Sequence, residues 1–256
     1  MQNFEQQFAI VTRSIFEQQR EAVERLFTKQ KTQKSYSKKS LEDDVVQLFA
    51  LEQWTIDLSE QLKPLYAAVI KEAAQNASSM LPFAPDPKQM QTAFQDFIDQ
   101  RVGKISKDIN EDTQKRVVAS LKQGLAKGET VDELRVRLNE EMGDTAAYRS
   151  ERIARTESKR AASQADLEVW QNSDIVEAKE WYTQGSNPCP WCATMDKKVL
   201  TLDGNFFDLG QSHDVEIVNS KGEHKTQSRT YSYEAIAAPP LHPSCRCILL
   251  PVIKKF

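Results

Sequence analysis

The chain has 256 residues, 28% of them charged and only 8 of them glycine, a composition that favours long solvated helices and is long enough to bury a core without covalent help. Its 34 basic and 37 acidic residues leave a formal net charge of -3, which excludes a global field that would drive it onto DNA or an anionic membrane. No run approaches the ~20 apolar residues of a membrane helix, and MQNFEQQFAI lacks a signal peptide's basic and apolar regions, so a soluble protein made in the cytoplasm is expected.

Phe4, Phe8, Val11, Ile15, Ala22 and Leu26 form one apolar stripe and predict a helix over about residues 3–30. The stripe faces a neighbouring helix of the same chain or, as a coiled coil, a second copy. Residues 29–39, KQKTQKSYSKK, hold five lysines and no acid, and read as a solvated linker, with weak DNA contact as the alternative. Ser40, with Asp43 three residues on, resembles a capping box opening a long helix with Leu41, Val45, Leu48, Leu51, Leu58, Leu62, Leu65 and Val69 on its apolar face. Pro64 is expected to kink or divide that helix. LPFAPDPK, residues 81–88, has three prolines and must be a loop. The helical pattern resumes at Gln89 through Met90, Phe94, Ile98, Val102, Ile105, Ile109, Val117, Leu121 and Leu125, and Gly128 ends it. Thr130 and Glu133 make a second capping box ahead of VDELRVRLNEEM, and a further helix is expected over about residues 145–172.

After residue 173 the chain changes character. VEAKEWYT, KVLTLDGNFF, VEIV, RTYSYEA and CRCILLPVI are short runs rich in β-branched and aromatic residues, broken by turn signals at Asp203-Gly204 and Lys221-Gly222. The expected fold is mainly α: long N-terminal helices followed by a small, irregular, zinc-stapled β module, which makes the C-terminal part α+β.

All four cysteines fall within residues 189–247, unlike the dispersed framework of a small secreted domain. Cys189-Pro-Trp-Cys192 has the two-residue gap that lets both thiolates reach one ion from a tight turn. It follows Gly185-Ser-Asn-Pro188 rather than a strand of a βαβ unit, which argues against thioredoxin-like redox chemistry. About fifty residues on, His242-Pro-Ser-Cys245-Arg-Cys247 offers three ligands for the two positions left on a tetrahedral ion. Cys245 and Cys247 on an extended strand would share one face, whereas His242 and Cys245 straddle a proline turn that resembles a knuckle. The second pair is preferred, and the choice between His242 and Cys247 as fourth ligand stays open. One structural zinc is expected, since four protein ligands leave no position for a substrate water. Disulfides or unpaired structural thiols are the alternatives.

Other polar residues point less clearly to chemistry. His213-Asp214 and His224 are expected in solvent-exposed loops. Arg152, Arg155, Thr156, Glu157, Lys159 and Arg160 crowd one helix, where an ionic hub is expected rather than catalysis, with Glu157 pairing with Arg160 or with the β module behind it.

The order GLAKGETVDELRVRL, RSERIARTESKRAASQADLEVW, KEWYTQGSNPCPWCATMDKKVLTLDG and APPLHPSCRCILLPVI resembles the phage Mu F-like head morphogenesis family, minor capsid proteins of tailed phages and prophages. The resemblance spans about residues 115–252. Its most specific pieces are Ala154-Arg155-Thr156-Glu157, Cys189 to Cys192, Gly204, and His242 to Cys247. It implies a helical arm over 1–114 and a head-morphogenesis domain over 115–256, itself divided into helices at 115–173 and the cysteine-rich module at 174–256. It further implies a virion protein of the capsid interior, in few copies at the portal vertex, with portal and capsid or scaffold proteins as partners and a role in the fate of packaged DNA. The N-terminal helices would supply any oligomer contact. Two other functions stand beside it. A zinc-supported HNH-type nuclease would need a His-His or Asp-His pair with a suitably placed Asn between Cys192 and His242, and none occurs there. The other is the detached C-terminal part of a portal protein, against which the amphipathic helix opening at Met1 reads as a natural start.

Overall fold

A computed structural model describes residues 2–31, 38–83, 85–143, 145–218 and 222–255, without the side chains of residues 2, 29–40, 87 and 88. Among the described residues six helices come first: α1 (Gln2–Lys31), α2 (Lys38–Phe49), α3 (Glu52–Ser79), α4 (Pro87–Ala126), α5 (Val131–Gly143) and α6 (Ala146–Gln171). Then follow β1 (Val176–Tyr182), the one-turn helix α7 (Pro190–Ala193), β2 (Val199–Thr201), β3 (Ser212–Val218), β4 (His224–Thr230) and β5 (Ile248–Ile253). The protein is mainly α, with its strands confined to the region after residue 175, as the sequence predicts. The middle of the lysine-rich segment, residues 32–37, and the side chain of Ser40 lie outside the described residues; α2 itself begins two residues before Ser40.

The helix expected to run on from Ser40 breaks at Ala50–Leu51, and Pro64 sits inside α3 without ending it. The reason is where the terminal carbonyls of α2 find donors. Gln114 Nε2 donates to Val46 O (3.0 Å), Trp54 Nε1 to Leu48 O (2.9 Å) and Asn110 Nδ2 to Phe49 O (2.8 Å). The side chains of Trp54 and Asn110 thus stand in for the next turn's amides at Leu48 O and Phe49 O, while Gln114 adds to the helical Ala50 N–H at Val46 O. Around Pro64, the buried Leu58, Leu62 and Tyr66 hold the helix together through packing.

At the end of α4, Gly128 takes φ +76° and Glu129 N reaches back to Gly124 O (3.0 Å), closing the helix as a C-terminal glycine should. The second capping box forms as expected, with Glu133 N donating to Thr130 Oγ1 (3.3 Å) and Thr130 N to Glu133 Oε2 (2.6 Å).

The chain divides into two compact units, one of residues 1–66 and 96–154, the other of residues 67–95 and 155–256. The divisions expected at 114/115 and 173/174 fall inside α4 and just after α6. The core of the first unit joins Val23 and Phe27 of α1, Leu41, Val45 and Phe49 of α2, Val117 and Leu121 of α4, and Leu134, Leu138 and Met142 of α5. The α1 stripe is used here too: Phe8, Ile15 and Ala22 are buried, and Phe8 meets Tyr66 edge-on at 5.2 Å.

The second unit holds both sheets. β1 is the centre of an antiparallel sheet ordered β2-β1-β5, and β3 pairs with β4 as a separate hairpin. An irregularity between Val176 and Ala178 sets the register so that Lys179 and Trp181 both face inward. The fully buried Lys179 is satisfied by Leu202 O (2.9 Å) in the turn after β2, and burial brings its pKa down to about 8. Pro251 lies in β5, an edge strand, where its missing N–H costs no ladder bond on the open side.

Candidate metal centre

Two short turns carry the cysteines, and each is built by local chemistry. Cys189 is the N-cap of α7, in extended conformation ahead of Pro190, whose fixed φ suits the first helical position. Cys192 N then donates to Cys189 Sγ (3.4 Å), turning both sulfurs the same way. The second arm is a tight turn in which Cys245 N donates to His242 O (3.1 Å) and Ser244 adopts φ +62°. Cys245 and Cys247 precede β5 instead of lying in it. The unusual backbone of Ser244 is fixed from α6: its N–H donates to Thr156 Oγ1 (3.0 Å). Thr156 belongs to the Ala154–Glu157 run, which thereby gains a defined task.

All five residues singled out in the sequence come together. Cys189, Cys192 and His242 form one group of donors within 4.8 Å of each other, and Cys192, Cys245 and Cys247 form another, so Cys192 belongs to both. His242 Nε2 lies 3.1 Å from Cys189 Sγ and 3.2 Å from Cys192 Sγ, and the Cys192 and Cys245 sulfurs are 3.7 Å apart. A tetrahedron with metal–sulfur bonds of ~2.3 Å has an edge of ~3.8 Å, so this spacing can hold a metal ion. All four cysteines are free thiols, which sets the disulfide alternative aside in this structure. The donors line a cavity of about 400 Å³, shared with Gly185–Pro188, Ser244 and Arg246.

The electrostatics of the thiols point the same way. Hydrogen bonds to Cys245 and Cys247, with burial, push the Cys192 thiol far up. Cys245 accepts from Cys192, but its donation to Cys247 and its burial raise it overall. Cys247, accepting from both, is pulled down. A cation bound among these three buried thiols would favour the ionised form of each. Thr183 supports this end of the cluster: its hydroxyl donates to Cys192 O (2.9 Å), and its Oγ1 lies 3.8 Å from Cys247 Sγ.

Behind the cluster, His213 departs from the sequence expectation of an exposed loop. It is buried on β3, stacked on Phe207 at 4.7 Å, because the alternation of His213 and Val215 turns both to the inner face. His224 is exposed as expected, 3.9 Å from Glu216 Oε2, but it opens β4 instead of lying in a loop. The expected strand RTYSYEA is displaced: β4 ends at Thr230, and its exposed residues His224–Ser228 are drawn into strand form by pairing with β3. On α6, Arg160 pairs with Glu157 (3.6 Å) and with Glu234 from the module, so the expected ionic hub exists. Sequence reasoning missed Thr183, Thr194, Tyr231 and Tyr233 around the cluster. Only the alternation of β3 signalled His213.

A family described as Phage Mu protein F like protein matches residues 115–250, more than half of the chain. The chain belongs to this family. The match to the Mu F-like family begins inside α4, ends inside β5 and takes in both cysteine arms and the Thr156 anchor. Membership supports a phage head morphogenesis protein, associated with the virion. No curated protein and no solved structure matches significantly. Among the described residues no helix is long and apolar enough to cross a membrane.

Proposed function

We propose that this head morphogenesis protein acts without catalysis, as an assembly part whose C-terminal module is fixed by one structural zinc ion and docks on portal and capsid proteins at the portal vertex. The observation that carries the zinc reading is the state of His242. Its Nδ1 lies 2.9 Å from Pro243 O, an atom that only accepts, so the ring proton sits on Nδ1 and the Nε2 lone pair points at the sulfurs of Cys189 and Cys192. That favours Cys189, Cys192, His242 and Cys245 as the ligands, with Cys247 as a buried partner beside Thr183. Zinc bound there would supply a crosslink between two chain segments about fifty residues apart, and four protein donors would leave no position for a substrate water.

Two measurements test this. Metal analysis of protein purified without chelator should find about one zinc per chain; well under half an equivalent would sink the zinc reading. Phage carrying Cys189→Ser with Cys192→Ser should build heads that lack this protein or are poorly infective. Normal incorporation together with loss of a DNA-cleaving activity present in the wild type would instead support the nuclease.

A further inference from the structure

Both ligand arms are held from behind by the segment that follows β4. On one side, Thr194, the C-cap of the Cys189–Cys192 turn, has its hydroxyl 2.8 Å from Trp191 O and 2.8 Å from His213 Nε2. Trp191 O can only accept, so the single hydroxyl proton of Thr194 goes to it. The Thr194 oxygen then accepts from His213 Nε2–H. Burial disfavours a second proton on the His213 ring, so its Nδ1 accepts from the Tyr231 hydroxyl at 3.1 Å. The whole chain, Tyr231 to His213 to Thr194 to Trp191, has one consistent direction, and every proton in it is placed. Tyr231 and His213 are both buried, in contact with Phe207.

On the other side, two residues along, the Tyr233 hydroxyl donates to Leu241 O at 3.1 Å, the carbonyl next to His242. The Tyr231–Tyr233 segment therefore reaches one arm through His213 and the other directly. The orientation of the hairpin and the spacing of the two arms are joined through two tyrosine hydroxyls.

We propose that Tyr231, acting through a neutral His213, and Tyr233 are positioning residues for metal binding: together they hold the Cys189–Cys192 and His242–Cys247 arms at binding distance before the ion arrives. This rests on the zinc reading above. Preorganised donors lose less freedom on binding, so removing a positioning hydrogen bond lowers metal affinity even when the fold survives.

The test is zinc affinity of the full chain by competition with a chromogenic chelator, paired with circular dichroism to establish that each variant is folded. Tyr231→Phe and Tyr233→Phe each remove one oxygen and keep the ring; each should weaken zinc binding about tenfold, as loss of supporting hydrogen bonds does at other metal sites. His213→Leu should weaken it at least as much. His213→Gln should bind zinc nearly as the wild type does, because an amide offers one donor and one acceptor at opposite corners, as the neutral imidazole does. Val215→Ala, from the same buried face of β3, is the control: it should lower the melting temperature and leave zinc affinity unchanged. Should His213→Leu fail to fold, the two tyrosine variants decide the matter. Wild-type affinity in folded Tyr231→Phe and Tyr233→Phe overturns the inference, and so does an equal loss in Val215→Ala. A wild-type chain that takes up no zinc fails the zinc reading itself and this inference with it.

Discussion

Asp166 of α6 offers a direct check on the interior of the second unit. Burial raises its carboxyl from 3.8 to about 7, and Lys159, one heptad earlier, offsets only part of that. Between those two values the folded chain keeps a proton that the unfolded chain has released. Stability from this group is therefore fully retained below about pH 4 and falls as pH rises towards 7. A difference of 3.2 units, from 3.8 to about 7, corresponds to about 4 kcal/mol of penalty above pH 7, and at pH 5 little more than a third of it applies. Asp166→Asn removes the charge and keeps the shape. It should stabilise the protein at about pH 8 by roughly 2 to 3 kcal/mol more than at about pH 5. Urea unfolding followed by tryptophan emission is suitable, since Trp170 and Trp181 are buried in the same unit. Comparing variant with wild type at each pH cancels the acid sensitivity of the thiols. An equal effect of Asp166→Asn at both pH values would refute the reasoning and mean that Asp166 is already ionised in the folded protein.

Thr156→Val removes the oxygen that receives Ser244 N, so the second unit should lose about 1 to 3 kcal/mol and release zinc faster in chelator-exchange kinetics. EDTA should loosen the second unit, by up to ~10 kcal/mol as in small zinc modules, while the first unit keeps its helices. Far-UV circular dichroism would then retain most of its helical signal; complete collapse would show that the first unit depends on the metal. Leu121→Ala, in the core of the first unit, should cost about 2 to 5 kcal/mol in urea and leave zinc affinity unchanged.

Features written in contiguous residues were legible in the sequence. The Thr130–Glu133 box and the stop at Gly128 depend on spacings of a few residues and form as read, and the two cysteine arms, equally local, lie close together. What escaped depended on partners far along the chain. At the break at Ala50–Leu51 the side chain of Asn110, 61 residues away, satisfies the carbonyl of Phe49 that ends α2. Pro64 looked like a breaker because propensity was weighed without the burial of Leu58, Leu62 and Tyr66. β4 has few β-formers and owes its form to β3, which no local pattern announces. Within the candidate site the cysteines and His242 were visible, while the threonines and tyrosines around them carry no spacing signal at all.

Neither compact unit is a continuous stretch of chain, and this bears on how the protein is made. The first unit has all its residues once synthesis passes Ala154, whereas the second must wait for the final cysteine arm and β5. Until then Val69, Ile70, Ala73 and Ala77 of α3, buried in the finished protein, have no completed surroundings on the nascent chain. A fragment starting at Lys115, where the family match begins, cuts through α4 and also loses residues 67–95 of the second unit. Such a fragment would keep every candidate metal donor and still lack part of the body around them.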